Sequence, residues 1–212
     1  MEIIGGTKKL EKHSQFPRIL IRRTGDILCC AYLNEIALTE STLYSCWSIS
    51  SELSNKSLIG LLNSKVLNYY NKKLNITNQQ GFPQILMTDL ENLPIKTPNI
   101  KIEKFVDFII SLKSQKLDNT IDQLIPTYFE QIIDGMVYEL YFPELIQKHN
   151  REIIKHLGEL PGFTDGMSDE KKMGICREVF HRLNDAAHPV KINLEKMKEE
   201  IKEIRIIEGL EK

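Results

Sequence analysis

The feature that most constrains this chain is a change in the period of its apolar residues. Residues 17–24 and 27–32 are short Ile- and Leu-rich runs parted by Gly25-Asp26, which is the signature of a β-hairpin. Residues 43–50 then alternate, with Leu43, Ser45, Trp47 and Ile49 on one side and Tyr44, Cys46, Ser48 and Ser50 on the other. A period of two is that of a strand half buried in a sheet. From 56 to 74 the period lengthens: Leu58, Ile59, Leu61, Leu62, Val66, Leu67, Tyr69, Tyr70 and Leu74 recur every three or four residues. That spacing predicts one long amphipathic helix, with Ser54 or Asn55 as its N-cap and Lys72-Lys73 complementing its negative C-terminus. A polar loop at 75–81, a short strand around 82–86 and a helical turn with capping-box spacing from Thr88 to Glu91 follow.

After Pro98 the strand signal disappears. Residues 101–117 read as a helix through Ile102, Phe105, Val106, Ile109 and Leu112. Thr127 and Glu130 have capping-box spacing and predict a helix through Phe129, Ile132, Ile133, Met136, Val137 and Leu140. Pro143 suits the first turn of another, running to Leu157. Pro161-Gly162-Phe163 breaks the chain, Ser168 caps a helix through Met173, Cys176, Val179, Phe180 and Leu183, and His188-Pro189 ends it. A charged helical stretch covers 193–210. The expected fold class is α+β: a small mixed β-sheet unit with a long helix over 1–98, then a mainly α-helical region over 99–212. The second region either stands apart or packs with the first as one body.

A net charge of −1 conceals an asymmetry, because residues 1–100 hold 11 Lys and Arg against 8 Asp and Glu, while 101–212 hold 17 against 21. Lys8, Lys9, Lys12, His13, Arg18, Arg22 and Arg23 fall close together, so a polyanionic partner suits the first half. Cys29, Cys30, Cys46 and Cys176 show neither a CxxC spacing nor a zinc-knuckle pattern, which suits reduced thiols in a cytoplasmic protein. No apolar run is long enough to span a membrane, and no signal-peptide pattern is present.

Several strings occur in an order that resembles the TaqI-like C-terminal specificity domain of bacterial adenine DNA methyltransferases. A strand with Arg22-Arg23 passes through a Gly-Asp turn into a second strand. Leu62-Asn63-Ser64-Lys65 follows on a helix, and Phe82-Pro83-Gln84-Ile85 leads into Asp89-Leu90-Glu91-Asn92-Leu93-Pro94-Ile95. Further on, Ile133-Asp134-Gly135-Met136-Val137-Tyr138-Glu139-Leu140-Tyr141 is similar to the segment that ends many type IIG restriction-modification proteins. The resemblance covers residues 15–145, and more loosely 188–208. It implies a target-recognition role. An upstream methyltransferase domain of the same polypeptide would bind S-adenosylmethionine and methylate adenine N6, and a nuclease, if present, would use Mg²⁺. Neither a Gly-rich cofactor loop nor an Asn-Pro-Pro-Tyr motif occurs in these residues, so no cofactor is expected here and the chain reads as a C-terminal piece of a longer enzyme.

The expected partner is double-stranded DNA. Arg22 and Arg23 are adjacent on a strand and point to opposite faces, so one would grip phosphate while the other pairs with an acid such as Asp26. Lys8, Lys9, Lys12 and Arg18 are candidate phosphate contacts or a solvated arm, and Lys65, Lys72 and Lys73 are candidate grips or plain helix surface. Asn75, Asn78, Gln79 and Gln80 carry amides that suit adenine N6/N7, although the same composition also makes an ordinary connector. Trp47, Tyr69 and Tyr70 carry rings that could stack on bases, but their helical and strand spacing favours packing. Asp165 with Glu170-Lys171-Lys172 imitates a nuclease metal set, but Ser168 onward reads as a helix start, and the five histidines form no HExxH. The sequence thus carries no catalytic constellation. Its second reading is a helical module that docks a methyltransferase to a nuclease or partner subunit.

Overall fold

The structure is a computed structural model and describes residues 2–4, 13–74 and 83–211 (2–4 and 74 as backbone). The chain divides into two compact units, Met1–Thr97 and Pro98–Lys212.

The first unit is built on a four-stranded sheet in the order β1-β4-β2-β3, formed by β1 (Glu2–Ile4), β2 (Arg18–Arg22), β3 (Cys30–Leu33) and β4 (Leu43–Trp47). Every pairing is antiparallel, where a mixed sheet was expected. β2 and β3 form the predicted hairpin, with Ile21 opposite Cys30 and Arg18 opposite Leu33. Ile19 lies opposite Cys46 and Ile21 opposite Tyr44, and these four residues make the buried face. The other parity of β4 carries Trp47, half buried, and beyond the strand Ile49, which is exposed.

One long helix over 56–74 was expected; two form instead, α1 (Asn55–Leu62) and α2 (Lys65–Leu74). Ser54 caps the first by accepting from the Ser57 N–H at 3.0 Å. The break falls at Asn63-Ser64, where the Asn63 side chain turns to the sheet and Ser64 Oγ accepts from the Leu67 N–H at 3.4 Å. Leu58, Leu61, Leu62 and Leu67 are fully buried, and α1 packs on β2 and β3. No strand forms around 83–86 among the described residues; Gln84 makes a single antiparallel bridge to Thr24. The short helix α3 (Met87–Glu91) starts one residue before Thr88, with the Asp89 carboxylate accepting from the Leu86 N–H at 2.9 Å.

The second unit is helical. α4 (Lys101–Lys113) is shorter than the predicted 101–117. α5 (Thr120–Tyr141) begins well before the Thr127 box, because Asn119 Oδ1 already accepts from the Ile121 N–H at 2.8 Å. Pro126 therefore lies inside α5, where a proline costs about 3 kcal/mol. Burial of Pro126 beside Ile125 and Phe129 opposes that cost. Phe129 sits 5.5 Å from both Phe105 and Phe108, and Phe163 is 5.4 Å from Phe108, so the segment read as a chain break supplies a half-buried ring packed on the core.

Pro143 opens α6 (Pro143–Lys148) as expected, but the helix stops there rather than at Leu157, with Asn150 at positive φ beyond it and only a 3₁₀ turn at Ile154–His156. Ser168 caps α7 (Asp169–Leu183). His188-Pro189 opens the next helix instead of ending this one: His188 Nδ1 accepts from the Val190 N–H at 3.2 Å and Pro189 takes the first position of α8 (Pro189–Glu200). The final helical stretch is split at Ile201 into α8 and α9 (Lys202–Glu208).

Candidate nucleic-acid interface

The β2–β3 turn is held from two sides. Gly25 has φ +112°, a conformation side-chain-bearing residues rarely adopt, and the Arg22 guanidinium lies across it, 3.1 Å from where a Cβ would stand. The Gly25 N–H donates to the Pro83 carbonyl at 2.8 Å, and the Ile85 N–H to the Arg23 carbonyl at 2.7 Å. The chain that resumes at Pro83 is thereby fastened to the turn.

The other side is fastened to α1 and α2 by side chains. Asn63 reads the edge of β3 as a neighbouring strand would: its Oδ1 accepts from the Cys30 N–H at 2.9 Å and its Nδ2 donates to the Cys30 carbonyl at 3.0 Å. Asn68 Oδ1 accepts from the Leu28 N–H at 2.7 Å, and Lys72 Nζ lies 3.8 Å from Asp26 Oδ2. The partners thus run 30, 28, 26 along the hairpin against 63, 68, 72 along the helices.

This geometry sorts the predicted site residues. Arg22 is exposed, and its side chain makes no hydrogen bond or ion pair with the described residues, while its backbone N–H donates to the Cys29 carbonyl at 3.0 Å. Arg23 does not pair with Asp26 as expected; it donates to the Ser41 carbonyl at 2.7 Å and stacks 5.0 Å over the Tyr44 ring. Asp26 faces Lys72 instead. Arg18 is a correction. It is fully buried, donating to the carbonyls of His13 at 2.6 Å and of Ala37, and burial lowers its pKa, so it is not available to a phosphate. It ties the start of β2 to the segment after β3.

Lys65 and Lys72 are exposed two turns apart on one side of α2, and Lys73 lies 5.3 Å over the Tyr69 ring. Lys8, Lys9, Lys12, Asn75, Asn78, Gln79 and Gln80 lie outside the described residues. The described neighbours of 75–82 are the last turn of α2, with Lys72 and Lys73, and Pro83, bonded to Gly25. One corner of the first unit therefore gathers Arg22, Lys72, Lys73 and both flanks of that amide-rich segment.

The helical unit has a different electrostatic character. Arg177 grips Asp122 with two bonds of 2.8 and 2.7 Å, Arg151 meets Glu200 at 2.8 Å and Lys198 meets Glu208 at 3.3 Å. Among the described residues, nine of its Lys and Arg side chains pair with its own acids. The Ile133–Tyr141 string is structural: a Cβ on Gly135 would stand 2.5 Å from Leu194 and 2.7 Å from Ile153, Tyr138 Oη donates to Glu208 at 2.8 Å, and Glu139 accepts from the N–H groups of Ile153 and Ile154. A groove of about 330 Å³ between α5, α7 and α8 is lined by Leu124, Tyr128, Phe180, Lys191 and Glu195, among others. Glu170 and Lys172 lie in the first turn of α7, with Lys172 3.6 Å from Asp169, in the geometry of a helix start and not of a strand-borne metal set. Among the described residues no cluster of three or more His, Cys, Asp or Glu could hold a metal ion, and no helix is long and apolar enough to cross a membrane.

Sequence reasoning missed Asn63 and Asn68. The signal was available: asparagine is a poor helix-interior residue, and three of them within one predicted helix, Asn63, Asn68 and Asn71, invite a search for a bond each makes outside it.

Residues 3–95 match the TaqI-like C-terminal specificity domain. A protein of Methanocaldococcus jannaschii, named as a candidate type II restriction enzyme and methyltransferase, is 29% identical over 133 residues. The match takes in 60% of this chain but 11% of that relative. No solved structure matches.

Proposed function

We propose that this chain, whose residues 3–95 match the TaqI-like C-terminal specificity domain, recognises a double-stranded DNA target on behalf of a restriction-modification enzyme, with an adenine-N6 methyltransferase domain in the same polypeptide. The supporting observation is the corner at which Arg22, Lys72 and Lys73 meet the two flanks of 75–82. Exposed cations of this kind engage phosphates and set the register of the protein on the duplex. The amides of Asn75, Asn78, Gln79 and Gln80 are of the type that pairs with adenine at base edges. S-adenosylmethionine, and Mg²⁺ for any cleavage, would be held by other segments of the enzyme, which works in the cytoplasm. The helical unit serves as scaffold and as the docking module toward methyltransferase, nuclease or partner subunit, in keeping with cations already paired internally and with Ile121 and Leu124 exposed on α5.

The test is duplex binding across a salt series. Neutralising Arg22, Lys72 or Lys73 should each flatten the slope of log K against log salt by about 0.9 if that residue holds a phosphate. Unchanged affinity and slope in all three variants would refute the placement. Exchanging 75–82 within the longer enzyme should alter the modified sequence; an unaltered target removes base reading from that segment.

A further inference from the structure

We infer that Asp26 restrains DNA affinity: its carboxylate lies against Lys72 at the hairpin corner, competes there with a DNA phosphate and so weakens sequence-blind DNA binding. The inference rests on the DNA-recognition reading. Asp26 is the acidic residue placed among the corner's cations, following the Gly25 that Arg22 covers and lying 3.8 Å from Lys72 Nζ. Its side chain is 55% exposed and that of Lys72 60%, so the pair is wet and a DNA phosphate can displace the carboxylate. The turn does not need the charge. Gly25 supplies the positive φ, Asn68 holds the Leu28 N–H, and Pro83 holds the Gly25 N–H.

The physical effect is a subtraction. A phosphate arriving at Lys72 must compete with a carboxylate already there and is repelled by it from Arg22. Any duplex incurs that cost. Asp26 therefore lowers binding to all sequences alike, so that phosphate contacts alone hold a duplex weakly and useful affinity requires the added base contacts of a target.

Fluorescence anisotropy of the 212-residue chain with a labelled random-sequence duplex tests this over a salt series. D26N keeps the shape and turn chemistry while removing the charge. It should tighten random-duplex binding about fivefold at low salt, the factor for one unit-charge interaction at about 4 Å in water. The salt slope should steepen by up to about 0.9 as one more phosphate is engaged. D26E, which restores the charge, should return binding to the wild-type value, and D26S is a second neutral variant should the amide disturb folding. If K72Q weakens binding but D26N and D26S leave it unchanged or weaker, the role of Asp26 is overturned while the DNA reading stands. If the wild-type chain shows no salt-dependent duplex binding, both are overturned.

Discussion

The Leu28 N–H donates to Asn68 Oδ1 at 2.7 Å, joining a hairpin to a helix 40 residues away. Asn68 Nδ2 donates to the Ser64 carbonyl at 3.0 Å, so the orientation of the Asn68 side-chain amide is fixed from the residue preceding α2. Asn68→Ala leaves the Leu28 N–H without its acceptor and should cost about 1–3 kcal/mol. Urea unfolding measures the loss, and faster amide exchange at Leu28 in the variant would locate it. An unchanged exchange rate would mean the bond does not hold the hairpin.

Arg18 and Arg22 lie on one strand and should behave oppositely. Arg18→Ala strips donors from the carbonyls of His13 and Ala37 and empties a fully buried site, so a loss of about 3 kcal/mol or more is expected. Arg22→Ala should change stability by less than about 0.5 kcal/mol and reduce duplex affinity. Thermal melts with binding isotherms on both variants separate the two roles.

Gly135→Ala sets two effects against each other. Alanine favours a helix by about 1 kcal/mol over glycine, while the new methyl would press on Leu194 and Ile153, both buried. Overpacking costs about 1–3 kcal/mol, so the variant should be less stable despite its better helix propensity. A rise in melting temperature would show that the contact yields.

Hydrogen bonds from Arg177 hold the Asp122 carboxyl below its usual range, against a smaller opposing effect of burial. A depressed carboxyl pKa stabilises the fold above the ordinary carboxylate range and loses that contribution as pH falls through the folded value. Wild type should therefore exceed Asp122→Asn in stability at neutral pH, and the gap should close in acid. Melting curves of both across that range check the sign.

His188 gives a second pH dependence at a different place on the scale. Burial first, then the nearby Arg182 charge, lowers its pKa, and its neutral Nδ1 caps α8. The stabilisation is complete above the ordinary histidine pKa and declines as pH drops through the lowered one. His188→Asn, which caps without titrating, should remove this decline from the stability profile.

Much of the fold was legible because period and turn chemistry are local. The hairpin, the β4 alternation, the Ser54 and Ser168 caps and Pro143 at a helix start all depend on neighbours in sequence. What failed was long-range. The helix over 56–74 broke because Asn63 serves β3, α5 began early because core burial tolerates Pro126, and Arg18 went inside to bind carbonyls. At the site, Arg22 was legible as one of a basic pair, yet its separation from Arg23 depends on Tyr44 and Ser41. The fastening of Pro83 to Gly25 has no local trace at all.

That fastening bears on how such a domain could acquire new targets. The residues on either side of 75–82 are each tied to the same turn, one by Lys72 and the other by Pro83. Both anchoring contacts are made by residues outside 75–82, so on the DNA-recognition reading a graft that alters the target would carry its two anchor points with it or match them in the recipient.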